Sequence, residues 1–285
     1  MGPVDRVQQP AARARGRHRG ALLADDAVAR ALLAQQVEQQ HLGAAGGLAL
    51  ELRGTAVAEV KDEGPTDIVT EADRRAEVLL LDLLREERPG DGVVGEEGAQ
   101  VAGDGERRWV LDPVDGTHNY ARGVPVWCSA VALLGADGPL ACAVQDAERG
   151  ELFSAARGEG ATLDGSPLRI GGEAALGSAS VAMFIDVRRR DPEVLALNAR
   201  VAERVGSLRC LGCGSIELAY VACGRLDAWL QPDSEPWDWN PGALLVREAG
   251  GVAEVRGRWY VASRSRALAD ELLALTEASG LPSAQ

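Results

Sequence analysis

Two aspartates three residues apart give the strongest chemical signal in this chain. Asp112 and Asp115 lie in the segment 112–117, which reads DPVDGT, and its proline and glycine stiffen the backbone so that both carboxylates can face one small volume. Carboxylates so close repel each other unless a cation neutralises them, and an all-oxygen cluster favours a hard divalent ion such as Mg²⁺. The alternative is a surface turn, for which Asp, Pro and Gly are preferred residues.

Further acids could complete such a cluster. Glu96 and Glu97 stand at the end of a predicted strand, and Asp238 lies between two tryptophans, just ahead of a predicted helix over 241–249. Carboxylate oxygens are the ligands that Mg²⁺ accepts. Taken by itself, Asp238 is equally well explained as the N-cap of that helix.

The elements that must position these acids predict a layered α/β protein with mixed sheets. Apolar positions recur at helical spacing over 22–53, and Thr70 is placed to cap a helix over 70–85 with Asp73 at its third position. An apolar strand over 109–111 is expected to end where the proline and glycine of DPVDGT begin. Further predicted helices cover 191–205, 215–223, 241–249 and 265–279, and further strands cover 93–97, 126–134, 139–146, 151–156, 178–185, 226–230 and 252–255.

Charge is distributed unevenly along the 285 residues. The formal net charge is −13, yet residues 1–20 contain five arginines and a single aspartate. The acidic remainder repels polyanions, which leaves nucleic-acid binding to this basic arm alone. An arm of this composition is typical of a disordered tail. We therefore expect no nucleic-acid partner for the body of the protein.

Cysteine usage and hydropathy indicate a reducing, aqueous compartment. Five cysteines are an odd number and do not form a disulfide framework in a chain of this size. The longest strongly apolar stretch without a charge, 124–136, is shorter than the ~20 residues that span a bilayer. The arginine-rich start contains no apolar signal-peptide core. We expect a cytoplasmic protein with no membrane partner.

Four separated segments together resemble one family, the inositol monophosphatases. They are DIVTEAD at 67–73, GEE at 95–97, WVLDPVDGT at 109–117 and WD at 237–238, and REAGG follows at 247–251. The resemblance implies a five-layered α/β/α/β/α sandwich with mixed, largely antiparallel sheets, which usually dimerises. It implies a single unit over 21–280, with an N-terminal metal-binding half over 21–170 and a C-terminal half over 171–280, preceded by the arm 1–20.

The resemblance also implies a set of metal ligands and a lithium-sensitive, Mg²⁺-dependent phosphatase. Two or three Mg²⁺ ions would be bound, the first by Glu96, Asp112 and the Val114 carbonyl, the second by Asp112, Asp115 and Asp238, and a third by Glu96 through waters. A cation of this kind activates a water molecule for in-line attack on phosphorus, so no protein nucleophile is needed. Catalytic roles fall to Glu96, Asp73 and Thr117, the last of which would orient the water.

Substrate contacts follow from the same resemblance. The amides of Gly116 and Thr117 would hold phosphate oxygens, and the other contacts implied are Val114, Asp115, Gly212, Cys213, Gly214, Gln231 and Asp238, with Lys61 and Glu97 as further candidates. A solvated loop lysine is the alternative for Lys61. The pair Cys210 and Cys213 could instead be redox-active or bind zinc, but no second Cys-x-x-Cys pair accompanies it.

The substrate implied first is inositol 1-phosphate, within the wider class of small phosphate monoesters. His118, Gln231 and the Asn-Pro pair at 240–241 depart from the inositol-specific pattern. The segment DGTHNYARGVPVW also resembles histidinol-phosphate phosphatases, so histidinol phosphate, or another sugar or nucleotide phosphate, is the alternative substrate. A non-catalytic or bifunctional interaction protein is the alternative from another functional class.

Overall fold

The computed structural model of the protein describes residues 41–54, 57–61, 68–185 and 191–277. The predicted arm over 1–20 and the first part of the helix predicted over 22–53 lie outside these described residues. The described helices are α1 (Leu42–Leu52), α2 (Glu71–Glu87), α3 (Thr117–Ala121), α4 (Pro192–Ala202), α5 (Gly214–Ala222), α6 (Pro236–Glu248) and α7 (Arg266–Glu277), with a 3₁₀ turn at Leu176–Ser178. None of these helices combines the length and the apolar composition needed to cross a lipid bilayer.

The strands form two large sheets and one short hairpin. They are β1 (Glu59–Val60), β2 (Ile68–Val69), β3 (Gly92–Gly95), β4 (Gln100–Val101), β5 (Arg108–Asp115), β6 (Cys128–Gly135), β7 (Gly138–Asp146), β8 (Glu151–Ala156), β9 (Gly160–Leu163), β10 (Ser166–Leu168), β11 (Ser180–Met183), β12 (Ser207–Arg209), β13 (Ala228–Pro232), β14 (Val252–Arg256) and β15 (Trp259–Ser263). The larger sheet has the order β10-β9-β8-β7-β6-β5-β3-β4, the smaller has the order β12-β11-β13-β15-β14, and β1 pairs with β2. The pairs β3–β5, β11–β12 and β11–β13 are parallel and the other pairs are antiparallel.

Five layers result from how these sheets bury their faces. Successive residues of a strand point to opposite sides, so Trp109 of β5 packs with α1 and α2, whereas Val110 packs with α5 and α6. Trp229 of β13 faces the same α5–α6 layer from the second sheet, and Leu230 faces away from it, toward α4 and α7. This α/β/α/β/α sandwich with mixed, largely antiparallel sheets confirms the fold class predicted from the sequence.

The start of α2 confirms the predicted cap at Thr70. The Thr70 hydroxyl accepts a hydrogen bond from the backbone amide of Ala72 at 3.2 Å. The backbone amide of Thr70 donates to Asp73 Oδ2 at 2.9 Å. This reciprocal capping box satisfies amides that have no partner within the helix. It also fixes Asp73, which is buried, at one end of α2.

Several boundaries differ from those that the sequence predicts; β3, for example, ends at Gly95 and not at 97. Two of the differences concern the acids Asp115 and Asp238. Strand β5 does not stop before DPVDGT but continues to Asp115, and its pairing with β6 shifts register between Asp112 and Asp115. A β-bulge absorbs the extra residue there, so the ladder resumes beyond the proline. Helix α6 begins at Pro236, not at Pro241, and its N-cap is Glu235. Asp238 is therefore a first-turn residue of α6, and its prediction as an N-cap is wrong.

Candidate metal centre and active site

Three carboxylates converge on one volume between the two sheets. Asp112 and Asp115 lie at the carboxyl end of β5, and Asp238 projects from the first turn of α6. One oxygen of each lies within 4.8 Å of the others. Asp112 is 1% exposed and Asp115 is 8% exposed, so bulk water does little to screen their charges.

The bulge in β5 is what turns both of its aspartates toward this volume. Asp112 lies opposite Ala130 of β6, whereas Asp115 lies opposite Cys128, so one strand has an extra residue. Within the bulge, the Val114 amide donates to Asp112 Oδ1 at 3.1 Å. An uninterrupted strand would alternate its side chains between faces, and the bulge re-aims them.

The start of helix α5, in the adjacent layer, also orients the Asp115 side chain. Its Oδ2 accepts a hydrogen bond of 2.6 Å from the Ser215 amide, at the N-terminus of α5. Unpaired amides and the helix dipole at such an end favour a negative charge. Two elements from different layers therefore hold this carboxylate.

The protonation of the cluster shows why it fits a cation. Burial raises the pKa of Asp112 well above its ordinary range, and the charges of Glu96 and Asp115 raise it further. Burial also raises the pKa of Asp238, with Asp115 as the largest neighbouring charge. The pKa of Asp115 is raised by burial against the opposing hydrogen bond from Ser215. Ionising all three needs a compensating positive charge.

Asp73 and Thr117 form a hydrogen-bonded pair beside the cluster. The Thr117 hydroxyl lies 3.1 Å from Asp73 Oδ1 and 3.1 Å from the Val114 carbonyl oxygen. Asp73 Oδ2 is engaged by the amide and hydroxyl of Thr70. Burial raises the pKa of Asp73, while these hydrogen bonds act to lower it. Because its partners fix both oxygens, Asp73 can hold the Thr117 side chain in one orientation.

Glu96 reaches the cluster from the neighbouring parallel strand. Gly95 of β3 pairs with Leu111 of β5, and the next residue, Glu96, donates its amide to the Leu111 carbonyl at 3.1 Å. This places Glu96 beside the end of β5, close enough for its charge to raise the pKa of Asp112.

Lys61 lies at this site and not in solvent. Its Nζ is 3.0 Å from Glu96 Oε1 and 2.7 Å from Glu97 Oε1. Burial acts to lower the pKa of Lys61, but the two glutamates outweigh it and raise that pKa. Burial raises the pKa of Glu97 to about 7, although Lys61 opposes the change.

A glycine-rich edge lies on the other side of the carboxylates. Gly116 has φ +91°, and a Cβ there would lie 3.0 Å from the Val126 carbonyl oxygen and 3.2 Å from Cys213 Cβ. Only glycine fits such a position. A cavity borders this edge, and its lining residues are Asp115, Phe184, Gly212, Cys213, Gly214, Glu217, Gln231 and Asp238. The sequence-predicted site residues thus lie together, from Lys61 on one side to Gln231 on the other.

Comparison with known proteins assigns nearly the whole length of this chain to one family. Residues 29–279 match the model of the inositol monophosphatase family. This chain belongs to the inositol monophosphatase family. It is 36% identical over 227 residues to an inositol-1-monophosphatase of Rhizobium meliloti (strain 1021), covering 79% of this chain and 85% of that protein.

Other members of the inositol monophosphatase family carry a different name. Over 203 residues the chain is 36% identical to the Nus factor SuhB of Pseudomonas aeruginosa, covering 69% of this chain and 75% of that protein. The crystal structure of the extragenic suppressor protein suhB from Bartonella henselae superposes with a TM-score of 0.80 at 27% identity, covering 86% of this chain and 98% of that one. Members of the inositol monophosphatase family are metal-dependent phosphatases of small phosphate substrates, and the carboxylates described above could bind metal.

Three residues of the site were not predicted from the sequence. Glu77 binds the turn that carries Glu96, Glu217 binds the backbone amide of Leu211, and Phe184 lines the cavity directly after β11. Phe184 carried no usable signal, because the strand predicted over 178–185 contains it, whereas β11 ends at Met183. The two glutamates lie inside predicted helices, where an acidic residue ordinarily faces solvent.

Proposed function

We propose that this protein is a Mg²⁺-dependent phosphomonoesterase, with inositol 1-phosphate as its first substrate candidate. The observation that carries the proposal is the convergence of the carboxylates of Asp112, Asp115 and Asp238 within 4.8 Å, the first two buried and the third half-buried. Membership of the inositol monophosphatase family supports the reaction class.

The donor set fits Mg²⁺ by its chemistry. Carboxylate oxygens of Asp112, Asp115 and Asp238, with Glu96 and the Val114 carbonyl close by, would hold two or three ions. Hard oxygen donors with several carboxylates are what Mg²⁺ selects. Bound there, Mg²⁺ would activate water for attack on phosphorus and neutralise charge on the leaving oxygen.

The chain's own residues divide the remaining tasks. Thr117, whose hydroxyl lies 3.1 Å from Asp73 Oδ1, would orient the attacking water. The amides of Gly116 and Thr117 would donate to phosphate oxygens and stabilise charge that develops in the transition state. Lys61 supplies positive charge beside Glu96 and Glu97.

The alcohol half of the substrate would lie against the 212–214 loop and Gln231. Phe184 gives this cavity an apolar side, and Gln231 supplies both a donor and an acceptor. A polyol can use both kinds of contact, which supports inositol 1-phosphate. Histidinol phosphate is the enzymatic alternative, because its imidazole could pack against the Phe184 side.

The decisive experiment measures phosphate release from inositol 1-phosphate, histidinol phosphate, fructose 1,6-bisphosphate and adenosine 3′,5′-bisphosphate, with Mg²⁺ and with EDTA. We expect Mg²⁺-dependent release from one ester, lost in Asp112→Asn. The matched control is Asp82→Asn, an exposed aspartate of α2 away from the cluster. No release from any of the esters would count against a phosphatase of small polyol and nucleotide phosphates.

A second candidate function is a non-catalytic one, favoured by the likeness to the Nus factor SuhB of Pseudomonas aeruginosa. The two functions separate in one variant, because Asp112→Asn should abolish hydrolysis while it leaves the outer surface unchanged. In cells lacking this protein, full rescue by Asp112→Asn would support an interaction role. Rescue by the wild type alone would support hydrolysis.

A further inference from the structure

Two buried thiols lie directly against the carboxylate cluster. Cys128 Sγ and Cys213 Sγ are 3.7 Å apart, and each residue is at most 1% exposed. Together with Asp115 they form a second group whose potential ligand atoms all lie within 4.8 Å of one another. Asp115 is thus a member of two groups, one made of oxygen only and one that contains two sulfurs.

Three different elements hold this second group. Cys128 opens β6 and is the cross-strand partner of Asp115, the last residue of β5. Cys213 directly precedes α5, and its thiol donates to the Asp115 carbonyl oxygen at 3.3 Å. Because strand pairing and a helix start fix the backbone at all three positions, the donor atoms converge without a loop having to move.

The spacing of the sulfurs suits a particular kind of ion. In a tetrahedral zinc site with Zn–S bonds of about 2.3 Å, two sulfurs are about 3.8 Å apart. The two thiols are 3.7 Å apart. Sulfur ligands select soft or borderline ions, whereas Mg²⁺ takes oxygen.

We propose that Cys128, Cys213 and Asp115 form a binding site for a thiophilic divalent ion, Zn²⁺ being the best fit, and that occupancy of this site removes Asp115 from the oxygen cluster. The ion would be held by two thiolates, one carboxylate oxygen and a water from the cavity that Cys213 borders. Binding releases the two thiol protons to solvent and involves no change of oxidation state. Burial raises the pKa of both thiols, so the ion itself has to displace the thiol protons.

The consequence for the oxygen cluster is competition. When the Asp115 carboxylate turns toward a zinc ion, it is no longer available to the magnesium ion that Asp112 and Asp238 would hold. The two ions share this one ligand, so zinc would weaken magnesium binding. Excess Mg²⁺ should in turn relieve zinc inhibition. This consequence, unlike the site itself, rests on the proposed phosphatase function.

Cobalt absorption tests the site directly, since Co²⁺ replaces Zn²⁺ and its thiolate bonds give a charge-transfer band in the near ultraviolet. We expect the reduced wild-type protein, freed of Mg²⁺, to develop the band as Co²⁺ is added, and we expect subsequent addition of Mg²⁺ to weaken it. The band should be lost in Cys128→Ala and in Cys213→Ser, and kept in Cys210→Ser, which removes an exposed thiol. Circular dichroism identifies any variant that fails to fold.

The absence of the band in the wild type, or its persistence in both folded variants, would overturn the proposed site. In a parallel assay, the zinc concentration that halves phosphate release should rise at least about tenfold in Cys128→Ala. Equal zinc sensitivity of the two proteins overturns the inhibitory consequence. A cobalt band in a protein that releases no phosphate supports the site and contradicts the phosphatase function alone.

Discussion

The carboxylate of Glu77 accepts a hydrogen bond from the backbone amide of Glu97 at 2.9 Å. Its other oxygen accepts from the Ala99 amide, also at 2.9 Å, and the residue is 6% exposed. Helix α2 therefore fixes the turn after β3, and with it the position of Glu96. A Cβ added at Gly95 would collide with this carboxylate, so the turn has no spare volume.

Glu77→Gln should loosen that turn. The amide nitrogen of glutamine faces a backbone donor and accepts nothing, so one hydrogen bond is lost and an amide is left unsatisfied, at about 1–3 kcal/mol of unfolding free energy. We expect the magnesium requirement for phosphate release to rise about 10–100-fold. Urea unfolding and a Mg²⁺ titration measure the two effects. Glu86→Gln, an exposed change in the same helix, should alter neither. An unchanged magnesium requirement would contradict the positioning role.

Stabilisation by Mg²⁺ should increase with pH. Burial raises the pKa values of Asp112 and Asp238, so without a cation the folded state binds protons that the unfolded state releases. The metal-free protein therefore loses stability as pH rises. Mg²⁺ competes with those protons. At 100 times its Kd, it would add about 2.7 kcal/mol to the free energy of unfolding.

Thermal unfolding with Mg²⁺ and with EDTA, at about pH 6 and about pH 8, measures this linkage. The Tm increase caused by Mg²⁺ should be larger at the higher pH and should nearly vanish in Asp112→Asn. An increase independent of pH would mean that these aspartates are not the ligands.

Thr117 offers a test of water positioning. Its hydroxyl is the group that contacts Asp73, so Thr117→Val removes the hydrogen bond at nearly constant volume. We expect kcat to fall about 10²–10⁴-fold with little change in KM. Thr117→Ser keeps the hydroxyl and should retain most of the activity. Activity that is kept in Thr117→Val and lost in Thr117→Ser would indicate a packing role for the methyl group instead.

The sequence predicts which helices and strands carry the site better than it predicts where those elements begin and end. The capping box of Thr70 and Asp73 is a local signal, because its two residues are three positions apart. Helix α2 begins where that signal predicts it. The end of β5 was predicted too early because proline normally ends a strand, and only pairing with β6 lets a bulge carry the strand on to Asp115.

Partners far apart in sequence account for most of what the sequence did not predict. Short strands such as β1 and β4 have two residues each and are defined by their ladders, not by their own composition. The contact between Cys128 and Cys213 joins positions 85 residues apart, and no local pattern links them. The N-cap prediction for Asp238 failed because Pro236 is well suited to the first turn of a helix and moves its start upstream.

Lithium should inhibit phosphate release. Li⁺ is a small, hard cation, and the oxygen cluster of Asp112, Asp115 and Asp238 is the kind of site that such an ion can enter in place of Mg²⁺. Sodium at the same concentration is the control for ionic strength. Full activity in millimolar lithium, at a subsaturating Mg²⁺ concentration, would contradict this prediction.

Glu217 should make stability depend on pH near neutrality. It accepts hydrogen bonds from the Leu211 amide at 2.7 Å and from Trp229 Nε1 at 3.0 Å, and burial raises its pKa from an ordinary 4.5 to about 7. Because the folded pKa exceeds the unfolded one, the contribution of the carboxyl group is fully present below the unfolded value and is lost as pH rises through about 7.

Glu217→Gln removes this titration. Glutamine also loses one acceptor, which lowers stability by an amount that does not depend on pH. The advantage of the wild type over the variant should therefore shrink by up to about 3 kcal/mol as pH rises through the interval between the two pKa values. Urea unfolding at a series of pH values, with Mg²⁺ held constant, measures the difference. A difference that is constant or grows with pH would mean that the buried carboxylate is ionised throughout, and that its two N–H donors alone compensate its charge.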